Sequence, residues 1–220
     1  MAQRSARSQE QRRSLAQAAS RLKVLFATRP EVINLFNTLM LVPLTEWEVK
    51  STAAEAARAV VQQSTAESSA RMKAMAAALR ALVLRLKADH APDGEPELRR
   101  LMGDRTASDV LALSSSARVE VLLDLDKRLD ATPPVWEPEA VPLRMTTRDA
   151  EKGLGDLASA RRARKVASAA EDAADRALSA AWVVLAAALG KVLTPQELAE
   201  AVPEFSSPKK SATTDEGAGA

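Results

Sequence analysis

Apolar side chains recur at helical spacing along most of this chain, and breakers are rare. The clearest stretch lies between Pro43 and Pro92, where the 48 residues from Leu44 to Ala91 contain neither Gly nor Pro. Thirteen of the 40 residues from Ser51 to His90 are Ala, the residue that enters a helix at the lowest cost. We therefore predict one very long α-helix, which needs partner helices along its side.

The apolar seam of that helix differs between its two halves. In the C-terminal half the spacings alternate between 3 and 4, as in packed helices, through Met72, Met75, Leu79, Leu82 and Leu86. Continued towards the N-terminus, the same seam falls on smaller or polar side chains, namely Ser68, Thr65, Val61, Arg58 and Ala54. Because these bury little apolar area, we expect the C-terminal half to be the firmer one.

Pro and Gly divide the remaining sequence into further segments. Helices are predicted at 9–27, 31–42, 108–130, 147–189 and 195–201. The segment 31–42 is apolar nearly all round, which predicts a buried plug of the core. The proline-rich segment 132–142 is predicted to be an extended strap.

Helix starts are indicated where a Thr is followed three residues later by an acidic residue, the pattern of a capping box. Four such starts are predicted, at Thr45, Thr106, Thr146 and Thr194. The last is reinforced by Pro195 at the first helical position.

These patterns predict an all-α fold: an elongated antiparallel helical bundle with two long Ala-rich helices, short capping helices and a disordered C-terminal tail. The expected organisation is a basic N-terminal helix or arm at 1–29, a bundle at 30–203 and a tail at 204–220. Aromatic residues make up only 3% and no run alternates with period two, so a sheet is not expected.

No motif in the chain is specific enough to predict catalysis, a metal or a cofactor. The absence of Cys excludes disulfides and thiolate sites. We expect a cytoplasmic, non-enzymatic structural or protein-interaction bundle whose partner is another protein or a second copy of the chain. Self-association is plausible because Ala-rich seams leave a helix able to accept a further helix. The apolar stretch from Ala177 to Gly190 is too short to span a membrane.

Positive charge is concentrated in two segments, and it supports an alternative function. Residues 1–29 hold seven basic residues and one acidic residue, and residues 161–165 form a basic run. Nucleic-acid or polyanion association is therefore the alternative to a solvated basic surface. The run winds around its helix, and no aromatic residues are interleaved for base stacking. The candidate residues are Arg4, Arg7, Arg12, Arg13, Arg161, Arg162, Arg164 and Lys165.

The basic N-terminal segment has three other interpretations. One is a membrane-surface helix, which would be weakly anchored because few bulky apolar residues precede Leu15. Rich in Arg and Ser and poor in acids, the segment resembles an organelle transit peptide in composition. It is also compatible with a first bundle helix.

Four further features have both a functional and a structural interpretation. Trp136 either clasps the bundle or binds a partner, and we expect the clasp. Glu171-Asp-Ala-Ala-Asp175 resembles the Mg²⁺-binding motif of isoprenoid synthases, with Glu171 in place of the family's Asp; a solvated acidic face is expected instead.

Leu193–Glu200 resembles the first helix of a helix-turn-helix, but prolines follow it, which favours a docked terminal helix. His90 is the only His in the chain and lies where the long helix ends. We expect it to interact, when charged, with the negative end of the helix dipole.

Overall fold

A computed structural model describes residue 17, residues 21–24 and residues 26–201 of the chain. Those residues contain helices and no strand, so the predicted all-α helical bundle with two long helices is confirmed. The two long helices, α2 and α6, have 49 residues each. The predicted tail at 204–220 lies outside the described residues, as does most of the helix predicted at 9–27. The elements are α1 (Pro30–Leu39), α2 (Leu41–Asp89), α3 (Gly94–Leu101), α4 (Ala107–Ala112), α5 (Ser115–Ala131), a 3-10 helix (Glu137–Ala140), α6 (Val141–Leu189) and α7 (Pro195–Ala201).

The chain divides into two compact units, and both long helices contribute to each. Unit 1 comprises Met1–Ser51 and Ala170–Ala220, and unit 2 comprises Thr52–Ala169. The predicted division into arm, bundle and tail stays a prediction.

The core of unit 1 forms around α1 and the C-terminal part of α6. The predicted plug is buried on one side only: α1 buries Val32 and Phe36, and Met40 after it is fully buried, whereas Ile33, Leu35 and Leu39 are half-buried. The plug is shorter than predicted, because Leu41 and Val42 belong to α2 and are exposed. The cluster consists of Leu22, Phe26, Val32, Phe36, Met40, Trp47, Ala174, Leu178, Trp182, Leu185, Leu189 and Leu193.

The core of unit 2 contains the predicted seam of α2. All five of its apolar residues, Met72 to Leu86, are buried, together with residues of α3, α5 and α6. The two long helices run antiparallel here. Just after the end of α2, His90 Nε2 lies 3.2 Å from Oε1 of Glu139, which comes just before α6. In the middle of α2, Arg71 Nη1 lies 3.4 Å from Oδ2 of Asp156 in α6. Among the smaller seam residues, Ala54, Val61 and Ser68 are buried outside this cluster.

Two of the four predicted capping boxes are confirmed. At the start of α4, the Thr106 hydroxyl accepts a hydrogen bond from the Asp109 N–H, and the Thr106 N–H donates to Asp109 Oδ2 at 2.8 Å. At α7, the Thr194 N–H donates to Glu197 Oε2 at 2.9 Å, and the Glu197 N–H donates to the Thr194 hydroxyl.

The starts predicted at Thr45 and Thr146 are wrong, because both residues lie inside helices that begin earlier. The Thr45 hydroxyl donates to the Leu41 carbonyl at 2.8 Å, and the Thr146 hydroxyl donates to the Pro142 carbonyl at 2.8 Å. Each long helix has a proline in its first turn, where the missing N–H would have had no partner within the helix.

The helix predicted at 108–130 is divided into α4 and α5. Leu113 has an extended backbone, and the Ser114 hydroxyl caps α5 by accepting from the Ala117 N–H at 3.5 Å. The extended strap predicted at 132–142 is also wrong in its second half, where the 3-10 helix leads directly into α6.

Candidate functional site

Three residues of the predicted basic run line one groove of unit 2. Arg161, Arg164 and Lys165 of α6 share this groove with Ser168 and with Val61 of α2, and we call it the first basic groove. The three cations meet because residues three and four apart lie on one face of a helix. The expectation that the run simply winds around its helix is therefore wrong for these three.

The fourth residue of the run, Arg162, does not line the groove. Its Nε donates to the Ala158 carbonyl one turn earlier, at 3.4 Å. All four basic side chains of the run are exposed.

Small residues allow the backbones of α2 and α6 to come close together in unit 2. Ala54 of α2 and Ala160 of α6 are buried, and Val61 is 9% exposed. At Gly153, an added Cβ would lie 3.5 Å from the Ser68 Cα, so α2 and α6 approach closely. The basic side chains that line the groove are exposed.

A second basic groove, which the sequence pattern does not predict, lies in the same unit. Lys73 and Arg80 of α2 line it together with Arg118 of α5, and we call it the second basic groove. The Arg118 guanidinium is fixed by Nη2, which donates to the carbonyls of Leu111 at 2.6 Å and Leu113 at 3.0 Å. Carbonyl acceptors do not neutralise its charge. The other lining residues are Ser69, Met72, Ala76 and Leu111.

Neither groove is lined by a carboxylate. The absence of acidic residues is visible in the sequence. Residues 68–88 include five basic residues and no acidic residue, and residues 157–170 include four basic residues and no acidic residue. Within the described part of the chain, no ion pair with a carboxylate is made by Lys73, Arg80, Arg161, Arg164 or Lys165.

Elsewhere in unit 2, two arginines of α6 are paired with carboxylates. Arg144 contacts the carboxylates of Asp126, Asp130 and Glu137, and Arg148 Nη2 lies 2.8 Å from Asp126. Asp126 is buried, so this network ties α5 to the start of α6. By contrast, the cations that line the two grooves make no such ion pair within the described residues.

Unit 1 carries a different surface, an apolar face of α6. Five exposed residues follow alternating spacings of 4 and 3, which places them on one side of the helix. We call this set the α6 stripe: Ala173, Ala177, Ala180, Val184 and Ala187. No charged residue occurs between Arg176 and Lys191, so about four turns of α6 expose an uncharged surface.

Trp136 lies inside unit 2. It is 2% exposed, and its Nε1 donates to Glu97 Oε2 at 2.9 Å. The partner-binding role predicted as one alternative therefore gives way to a structural one, because the indole is enclosed and its only polar group already has an acceptor.

The other candidate residues lie at structural positions. Glu171 is buried and accepts a hydrogen bond from the Ser51 hydroxyl at 3.3 Å, so the solvated acidic face expected there is wrong at this position. Helix α7 docks as predicted, since Leu193 is buried and Leu198 packs against the unit 1 core. The arginines of the arm, Arg4, Arg7, Arg12 and Arg13, lie outside the described residues.

His90 pairs with Glu139 across the end of α2, with Nε2 lying 3.2 Å from Oε1. The pKa of Glu139 lies below the usual value for a glutamate. The main cause is a hydrogen bond from its own backbone N–H, and the next is the hydrogen bond with His90.

Within the described ranges, no group of three or more His, Cys, Asp or Glu side chains is arranged to hold a metal ion. The same residues include no helix with the length and apolarity needed to cross a bilayer. The chain matches no protein-family model, no curated protein and no solved structure. The candidate surfaces are therefore interpreted from their own chemistry.

Proposed function

We propose that this chain is a non-enzymatic helical interaction module that associates with a second copy of itself through the α6 stripe. The observation that carries the proposal is the uncharged, exposed side of α6 in unit 1. A helix that is apolar on all sides is normally buried, and here one of its sides has no cover among the described residues.

The spacing of the stripe supports a helix as the occupant. Alternating steps of four and three residues present a straight line of side chains to a partner helix. Four of the five stripe residues are Ala, whose small side chain lets two helix axes approach to about 8 Å, the short end of the usual range. These are Ala173, Ala177, Ala180 and Ala187.

A second copy suits this face better than a charged partner does. Most closed assemblies are homodimers in which the same patch is used on both subunits. The stripe carries no charge, so two copies meet without like-charge repulsion.

The size of the stripe sets the strength of the contact. From Ala173 to Ala187 the helix rises about 21 Å, and with a width of about 10 Å each copy covers roughly 200 Å². A standard stable interface buries about 800 Å² per partner. We therefore expect association in the micromolar range or weaker.

Analytical ultracentrifugation of the full chain over a wide concentration range tests the proposal. The variant Ala180→Glu places a charge in the centre of the stripe and is expected to weaken association about tenfold or more. The matched control is Ser179→Glu, an adjacent exposed position off the stripe with the same change of charge. A chain that stays monomeric at millimolar concentration, or equal effects of the two substitutions, would contradict the proposal.

A further inference from the structure

Both basic grooves of unit 2 are lined by residues from one side of α2. Val61 lines the first groove, and Ser69 and Ala76 line the second. Successive separations of 8 and 7 residues are each close to two helical turns, so these three residues lie along one side of the helix. A single extended ligand can therefore reach both grooves.

We propose that this side of unit 2 binds the phosphate backbone of a double-stranded nucleic acid. Each groove presents three basic side chains and a serine hydroxyl, and neither presents a carboxylate. Arg and Lys side chains of this kind neutralise phosphates and release their condensed counterions, which is the main source of sequence-independent affinity.

The distance between the grooves selects a polymer over a small phosphate compound. Val61 and Arg80 are 19 residues apart on one helix, which corresponds to about 28 Å. A nucleotide is too short to contact both ends of such a span. A duplex carries one charge per about 1.7 Å of its axis, so roughly 16 phosphates fall within that length.

The lining residues favour a duplex over a single strand. Single-strand binding surfaces combine basic residues with aromatic side chains on which bases stack. No aromatic residue lines either groove. Recognition here rests on charge and shape, and we expect no preference for sequence.

The same lining disfavours a membrane surface as the ligand. Interfacial helices insert large apolar side chains beside their basic residues. In these grooves the apolar residues Val61 and Met72 are buried, and Leu111 is half-buried. They form the walls and do not project towards a ligand.

Fluorescence anisotropy of the full chain with a labelled DNA duplex of about 20 base pairs, over a range of salt concentrations, tests this proposal. The triple variant Arg161→Ala, Arg164→Ala, Lys165→Ala removes the first groove, and Lys73→Ala with Arg80→Ala removes two cations of the second. For the triple variant, the slope of log K against log salt is expected to fall in magnitude by about 2.7, which is 0.9 for each lost phosphate contact.

The matched control is the triple variant Lys87→Ala, Arg100→Ala, Lys127→Ala. It removes the same charge from exposed residues that each have a carboxylate partner in unit 2. We expect the slope and the affinity of this control to stay close to those of the natural chain. Circular dichroism of every variant establishes that the helices are retained.

Four results would overturn the proposal. The first is an equal loss of affinity in the control, which would make net charge the cause. The second is a loss confined to a variant lacking Arg4, Arg7, Arg12 and Arg13, which would assign binding to the N-terminal arm. The third is equal affinity for a single strand of the same length. The fourth is tighter, groove-dependent binding to phosphatidylserine vesicles than to the duplex.

Discussion

The indole of Trp136 donates a hydrogen bond to the carboxylate of Glu97, and this contact joins the start of the 3-10 helix to α3 within unit 2. The distance from Nε1 to Oε2 is 2.9 Å, and the Trp136 side chain is 2% exposed. Trp136, which directly precedes the 3-10 helix, is thereby held in the core of unit 2.

We predict that Trp136→Ala lowers the free energy of unfolding by about 3–5 kcal/mol, because it leaves a large cavity. Trp136→Phe, which keeps most of the volume and removes the N–H, is expected to lower it by about 1–2 kcal/mol. Urea unfolding followed by circular dichroism measures both. The neighbouring Val135, which is 89% exposed, provides the control, since Val135→Ala should change stability by less than about 0.5 kcal/mol. Similar effects at the two positions would be inconsistent with a buried indole.

The two glycines of α6 are predicted to respond differently to Ala. An added Cβ at Gly155 meets nothing within 4 Å, so Gly155→Ala should stabilise the protein by about 0.5–1 kcal/mol through helix propensity. An added Cβ at Gly153 lies 2.9 Å from Arg71 Cδ, so the Arg71 side chain must shift, which disturbs its ion pair with Asp156. That exposed pair contributes at most about 1 kcal/mol, so we expect little or no net gain at Gly153.

Thermal or urea unfolding of the two variants side by side tests this difference. Each substitution changes one glycine to Ala in the same helix, two residues apart, so each serves as the control for the other. An equal gain at both positions would show that α2 and α6 are not in close contact at Gly153.

The stability contributed by Glu197 is predicted to disappear in acid. The Thr194 N–H and then the Thr194 hydroxyl hold the pKa of Glu197 below its usual value, and the charge of Arg29 adds to the effect. Because the folded pKa is the lower one, the contribution is complete above the pKa of the unfolded chain and is lost as the pH falls through the folded value.

Comparison of the natural chain with Glu197→Gln by urea unfolding between about pH 7 and pH 3 measures this dependence. The difference between the two proteins should be largest near neutral pH and should shrink as the pH falls below the usual range of a glutamate. Glu46→Gln removes the same charge from an exposed residue that has no hydrogen bond or ion pair within the described residues. A difference that does not change with pH would rule out the proposed role of the Glu197 carboxylate.

Local periodicity is sufficient to predict the two long helices and the buried apolar seam of α2. Met75, Leu79 and Leu86 are buried where their spacing places them, because a run of large apolar residues at 3 and 4 has only one face to bury. The first turns of the long helices were mispredicted for an equally local reason. The prediction places Pro43 and Pro142 outside the helices, because proline usually ends a helix. In the structure both lie in a first turn, where proline is tolerated.

The second basic groove required tertiary information. Lys73 and Arg80 are seven residues apart, so any helical prediction places them on one face of α2. Arg118 joins them in the groove only because the helix breaks at Leu113 and α5 packs next to α2. The position of Trp136 likewise depended on Glu97, which is 39 residues away in sequence. Contacts of this kind have no signature in a single sequence.

The central claim, that the α6 stripe is a contact between two copies of the chain, is tested most directly by disulfide trapping. The chain contains no Cys, so single substitutions to Cys report only on their own position. Cys is introduced singly at Ala173, Ala177, Ala180, Val184 and Ala187, and at the exposed off-stripe positions Asp172 and Ser179. We predict that oxidation yields covalent dimers at one or more stripe positions, because a disulfide needs Cα atoms within about 7 Å, and none at the two controls. Dimers at none of the stripe positions, or equally at Asp172 and Ser179, would contradict the account.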